Sequence, residues 1–127
     1  MKAGVRFHIR DRDRDRGRET ELAIGPGKIA LLEAIARTGS ITSAAKQLGM
    51  SYRRAWLLVA ETNRCLVRPA VATVAGGDKG GGTVLTPLGV ELVRRYRALE
   101  RETEAAVARK LKSMLRALPA GDRDSPA

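Results

Sequence analysis

The stretch from Gly39 to Trp56, Gly-Ser-Ile-Thr-Ser-Ala-Ala-Lys-Gln-Leu-Gly-Met-Ser-Tyr-Arg-Arg-Ala-Trp, holds two helix stops and two helix starts. That constrains this chain more than any other feature. Gly39 ends a preceding helix, and Ser40 is a side-chain cap for the next. That second helix, about Ile41 to Leu48, buries Ile41, Ala44, Ala45 and Leu48, and its small alanines permit close helix approach. Gly49 supplies a left-handed residue, and Ser51 caps a third helix from Tyr52 to Cys65.

The flanks complete the pattern. Gly25-Pro26-Gly27 punctuates the chain and places a proline in the first turn of a helix running from about Pro26 to Thr38. Its apolar face is expected to be Ile29, Leu32, Ile35 and Ala36. Projected at about 100° per residue, the third helix turns Ala55, Leu58, Val59 and Thr62 to the core. Arg53, Leu57, Ala60 and Arg64 face away, with Arg54 and Glu61 on one edge and Trp56, expected to pack, on the other. Val71–Leu85 then reads as two strands around a glycine-rich tip. A helix-turn-helix followed by such a hairpin predicts a winged helix. The expected class is mostly α with a small β component, with an N-terminal strand and a long C-terminal dimerisation helix.

Domain organisation follows. Residues 1–24 form a strand and charged arm: Val5–Arg10 alternate as a half-buried strand does, the Asp-Arg repeat Asp11–Arg16 continues that parity, and Glu21–Ile24 is a candidate return strand. The arm is a solvated hairpin or loop on the plain reading, and a phosphate contact on the sharper one. Residues 25–118 are the winged helix-turn-helix domain, with the wing at 71–85 and the last helix at 87–118 after the Thr86-Pro87 cap. Residues 119–127 are expected to be a disordered tail. Such a helix extends ~45 Å, longer than a domain of this size covers. Its distal half is therefore expected on a second subunit, through Leu92, Tyr96, Leu99, Val107, Leu111 and Met114.

The formal net charge is +10, with a sequence pI near 10.8. Residues 25–86 carry eight basic against three acidic side chains, so charge concentrates where a phosphate backbone would lie. The expected partner is double-stranded DNA. Ser51 and Tyr52 are candidates for phosphate, Arg53 for base edges, and Arg54 for both. Leu57 and Ala60 suit thymine methyls, while Arg64, Lys46 and the wing residue Lys79 complete the set.

Other chemistries find no support. Lys79 is followed by Gly80-Gly81-Gly82-Thr83, not by the Ser/Thr that a phosphate-binding P-loop demands. His8 and Cys65 alone make no zinc site and no triad, and Cys65 is expected to be a small buried hydrophobe. Glu100, Glu102 and Glu104 read as a solvated helix stripe, so no enzyme is expected. One cysteine excludes an internal disulfide and suits a reducing cytoplasm. No run reaches the ~18 apolar residues of a membrane helix, and no leader core is present.

The Gly39–Trp56 string, the Gly76-Gly-Asp-Lys-Gly-Gly-Gly82 wing and Leu85-Thr-Pro-Leu-Gly89 together resemble the N-terminal DNA-binding domain of the ModE molybdate-responsive regulators. The likeness is to their short, single-domain branch and covers roughly Leu22 to Leu99; the LysR-type helix-turn-helix is more distant. This resemblance implies a homodimer on a two-fold operator, with helix 52–65 in the major groove. In full-length members molybdate binds separate C-terminal domains, and this chain ends soon after the dimer helix. The resemblance therefore implies no cofactor and no molybdate sensing here. The expected function is a sequence-specific DNA-binding transcriptional regulator. The alternatives are a non-specific nucleic-acid or architectural protein, and a module docking a partner regulator through its last helix.

Overall fold

The computed structural model describes residues 4–6, 8–12, 21–77 and 80–118. The elements run β1 (Ile9–Arg12), β2 (Glu21–Ile24), α1 (Pro26–Thr38), α2 (Ile41–Gln47), α3 (Tyr52–Cys65), β3 (Val71–Gly77), β4 (Gly80–Leu85) and α4 (Pro87–Ala117).

Local chemistry sets the helix boundaries. Gly39 sits at φ 72° and sends its N–H back to the Ile35 carbonyl at 2.8 Å, closing α1. The Ser40 hydroxyl accepts from Ser43 N at 3.1 Å and opens α2. Gly49, at φ 66°, turns the chain again, and the Ser51 hydroxyl accepts from Arg54 N at 3.1 Å. Thr86 does double duty ahead of α4. Its hydroxyl accepts from Gly89 N at 3.1 Å and donates to the Pro69 carbonyl at 2.7 Å.

Helix α1 is the centre of the molecule. It touches α2, α3, α4 and β4, so more than one stripe of it is covered. Leu31 and Ala34 are buried beside Ile29, Leu32 and Ile35, whereas Ala36, expected inside, is exposed. Ala44 and Ala45 of α2, Ala55, Val59 and Thr62 of α3, Ile24, Ala70, Val71 and Tyr96 close around it. Thr62 satisfies its hydroxyl on the Leu58 carbonyl at 2.8 Å. The buried arc of α3 is narrow, and this corrects the expectation for Trp56. Its ring lies beyond that arc and is 51% exposed. Cys65, at the helix end, is half-buried and not buried.

The expected fold class is also corrected. The β component is not one N-terminal strand plus a wing but two separate two-stranded antiparallel sheets. Glu21–Ile24 returns against Ile9–Arg12, pairing Ile9 with Ile24 and Arg12 with Glu21, so the first strand begins later than Val5. In the second sheet Val71 pairs with Leu85 and Gly77 with Gly80, with an irregularity between Val74 and Gly77. The structure is a mostly helical chain with two small ribbons. Lys79, residues 13–16 of the Asp-Arg repeat and the tail 119–127 lie outside the described residues.

Only the first half of α4 packs on the body. Gly89 and Tyr96 are its buried residues. A Cβ on Gly89 would enter the Ala70 peptide, 3.0 Å from its carbonyl carbon. Beyond Glu100 the helix runs out into solvent, with Val107, Met114, Leu115 and Leu118 exposed. Among the described residues no helix is long and apolar enough to cross a membrane.

Candidate functional site

The start of α3 is an open, cationic surface of the helical body. Ser51, Tyr52, Arg53 and Arg54 are all exposed, and the first turn holds no acid. Capping by Ser51 uses a hydroxyl and a backbone amide, so it takes no side-chain donor from either arginine. Leu57 is 43% exposed and Arg64 is exposed further along the helix, whereas Ala60 is half-buried. Lys46 is exposed on α2. The structure thus brings Ser51, Tyr52, Arg53, Arg54, Leu57 and Arg64 onto one outward-facing helix, with Lys46 on the neighbouring one.

The one acid of α3 is engaged elsewhere. Glu61 forms an ion pair with Lys28 at 3.3 Å, and the same ammonium donates to the Ala23 carbonyl at 2.7 Å. This contact ties α1 to both β2 and α3. Sequence reasoning passed over Lys28, counting it only as charge. It also passed over Asn63, whose side chain holds the far end of α3 to the next strand. Its carbonyl oxygen accepts from Ala70 N at 2.9 Å and Val71 N at 3.2 Å, and its amide donates to the Val71 carbonyl at 3.2 Å. An asparagine inside a helix competes with the ladder unless its side chain bonds elsewhere, and that was the available signal.

The residues expected at a dimer contact divide into two groups. Leu92, Tyr96 and Leu99 line a cleft of about 380 Å³ with Ile9, Leu66 and Leu88, and Glu91 and Arg95 stand among the same lining residues. Tyr96 is already 2% exposed and belongs to the chain's own core. Burial raises its phenol pKa above the usual range, with help from the Glu100 charge. Val107, Leu111 and Met114 lie on the outer half of α4, where Val107 and Met114 are exposed. Glu91 accepts from Arg94 and Arg95, and those two bonds, Arg94's first, hold its carboxyl down at about 2. No group of histidine, cysteine and acidic side chains able to hold a metal ion occurs among the described residues.

No family model matches the chain. Individual proteins do. It is 44% identical over 99 residues to the molybdenum-pterin-binding protein MopB of Rhodobacter capsulatus, covering 78% of this chain and 35% of that protein. It is 45% identical over 100 residues to the molybdenum transport protein ModE of Azotobacter vinelandii, covering 79% and 37%. Over 78 residues it is 40% identical to the DNA-binding transcriptional dual regulator ModE of Escherichia coli (strain K12), covering 61% and 30%. The chain spans about a third of the length of these relatives.

These similarities correct the reading drawn from the residues. A resemblance confined to a DNA-binding domain is too narrow, because the relatives matched over most of the chain are named for molybdenum or molybdenum-pterin. The winged-helix class, read from the helix-turn-helix and the hairpin after it, gives way to a mostly helical chain with two small ribbons. The expectation of no cofactor and no molybdate sensing falls on the same names. So does the expected function, sequence-specific DNA reading by a regulator, which left molybdenum out.

Proposed function

We propose that this chain is a molybdenum-responsive module, with a molybdenum oxyanion as effector, a second copy of itself as subunit partner and duplex DNA as macromolecular partner. The observation that carries the reading is the open cationic start of α3, where two arginines and two hydroxyl side chains stand exposed with no acid in the turn. Such a surface attracts phosphates and smaller oxyanions through the same charge-assisted hydrogen bonds. The molybdenum part is supported by the names of MopB and of the Azotobacter relative, and the DNA part by that of the Escherichia relative.

Within this reading Ser51, Tyr52, Arg53, Arg54, Arg64 and Lys46 contact phosphate, and Leu57 faces the duplex. The dimer forms through the outer half of α4, where Val107 and Met114 present apolar surface that one chain leaves in water. The module binds and does not catalyse.

Two titrations test it. Equilibrium dialysis of the chain against molybdate, with sulfate as the control ion, is expected to retain molybdate. Duplex binding, followed through the single and half-exposed Trp56, is expected to weaken steeply with salt and to shift when molybdate is added. Retention of neither ion, together with duplex binding that ignores molybdate, overturns the effector. Fluorescence that no duplex perturbs, at low salt and high concentration, overturns the DNA partner.

A further inference from the structure

A second feature of the surface, behind the exposed face of α3, is a cleft of about 200 Å³ where β2, the start of α1 and the start of α3 meet. It is lined by His8, Lys28 and Arg54, with Ala23, Ile24, Gly25, Gly27 and Leu58 as its remaining wall. We infer that this cleft is an oxyanion site, built to take one tetrahedral anion, a molybdate-like ion or a phosphate group, between His8, Lys28 and Arg54. The inference rests on the functional reading above and locates its anion.

The donor inventory supports a small anion. Lys28 has an ammonium with three donors, of which one goes to the Ala23 carbonyl, and its charge also pairs with Glu61 at 3.3 Å. Its side chain is 13% exposed, so the ammonium is held in place instead of sweeping through solvent. Arg54 contributes a guanidinium with five donors, and among the described residues none of them meets a protein acceptor. His8 brings an imidazole N–H. Its ring abuts the Gly25 backbone, where a Cβ would meet Cδ2 first and come 2.9 Å from Nε2 and 3.2 Å from Cγ. Gly25 therefore makes room for the ring, and the three nitrogen-bearing side chains reach the cleft from three separate segments.

Charge and size agree with that occupant. Glu61 pairs with Lys28 but does not line the cleft, so among the described residues the lining carries no acid. Buried Ile24 and half-buried Leu58 supply an apolar wall, which strengthens ionic contacts beside it. The volume is below the ~300–1,000 Å³ of pockets that hold drug-sized molecules, which favours a single ion or one backbone phosphate.

The two sources of such an anion are separated by titrating the whole chain with sodium molybdate, with inorganic phosphate and with a duplex. The variants are Arg54→Gln, His8→Asn and Gly25→Ala, with Lys112→Gln removing the same charge far out on α4 as control. Arg54 and His8 are exposed, so their variants fold. Gly25→Ala displaces the His8 ring without changing charge, and a thermal melt accompanies it. For a free-ion site, Arg54→Gln and His8→Asn each weaken molybdate or phosphate binding about tenfold, as loss of a charge-assisted bond does. For a backbone-phosphate site, no free ion binds, both variants weaken the duplex, and Arg54→Gln lowers the salt slope by about 1. In either case Gly25→Ala mimics His8→Asn and Lys112→Gln behaves as wild type. Anion or duplex binding that survives in both variants overturns the site and leaves the functional reading standing. A loss confined to Arg54→Gln overturns the three-sided site. A wild-type chain that binds no ion and no duplex overturns both.

Discussion

Arg97 on α4 grips Glu33 on α1 with two donors, Nε reaching Oε2 at 3.2 Å and Nη2 reaching Oε1. The pair joins residues 64 apart in sequence. A third donor, Nη1, meets Glu100 Oε1 at 2.6 Å, one turn along α4. Because the guanidinium is planar and its donors fixed, the contact sets the angle at which α4 leaves the body as well as its position. These same bonds raise the Arg97 pKa further, so the cation persists at every accessible pH.

Arg97→Met keeps the aliphatic stem and removes the fork. It leaves two carboxylates, at 31% and 14% exposure, without their shared partner. The expected loss is about 1–3 kcal/mol in urea unfolding. A double-mutant cycle with Glu33→Gln is expected to show coupling, and additivity between the two would remove the pair from the fold's support.

Glu91 gives a pH prediction. Its folded pKa, about 2, lies below the ordinary 4.5, with Arg94 as the larger cause and Arg95 as the smaller. A depressed carboxylate contributes stability that is complete above its unfolded pKa and is lost as pH falls through the folded one. The window is therefore about 4.5 down to 2. Carboxyl NMR should find the midpoint near 2 and move it up toward 4.5 in Arg94→Gln, and by less in Arg95→Gln.

Gly89→Ala is expected to destabilise although alanine favours helices. The added methyl meets the Ala70 peptide, whose carbonyl already accepts from Thr86 N at 2.9 Å and cannot withdraw freely. Overpacking of about 1–3 kcal/mol outweighs the roughly 1 kcal/mol gain in helix propensity. A raised melting temperature would contradict the close approach.

Asn63→Ala removes three hydrogen bonds and strands the Ala70 and Val71 amides. About 1–3 kcal/mol is expected, from leaving those groups unsatisfied. The readout specific to this latch is hydrogen exchange. Ala70 and Val71 should lose protection while Gly39, at the opposite turn, retains it.

Val107→Glu combined with Met114→Glu tests the proposed subunit contact. Both residues are exposed in the single chain, so its own fold should be unaffected. Sedimentation is expected to change from dimer to monomer with an unchanged circular dichroism spectrum. A dimer that persists would move the contact off the outer half of α4.

What the sequence made legible was punctuation. Gly39, Ser40, Gly49, Ser51 and Thr86 each terminate or cap a helix through backbone geometry that depends on one or two neighbouring residues. Packing was less legible, because periodicity assigns one face per helix and α1 is covered on several. That is why Leu31 and Ala34 are inside and Ala36 is not. The exposed arginines at the start of α3 followed from projection alone. Lys28, Asn63 and His8 did not, since their partners lie in other elements. Trp56 was misjudged for a related reason. Its place at the edge of the core face argued for packing, while the narrow core arc of α3 left it 51% exposed.

The Gly39 carbonyl accepts from Thr83 N at 2.9 Å, and a Cβ on Gly82 would lie 3.4 Å from the same oxygen. Thr83 is already paired across the ribbon with Thr73, so this amide points out of the sheet. A lone two-stranded ribbon offers bare rims to any extended chain nearby, and such rims seed unwanted polymerisation. In this protein the corner between two helices plugs one rim where it would be most inviting. The left-handed glycine that bends the chain thus also occupies an amide on the open edge of a strand.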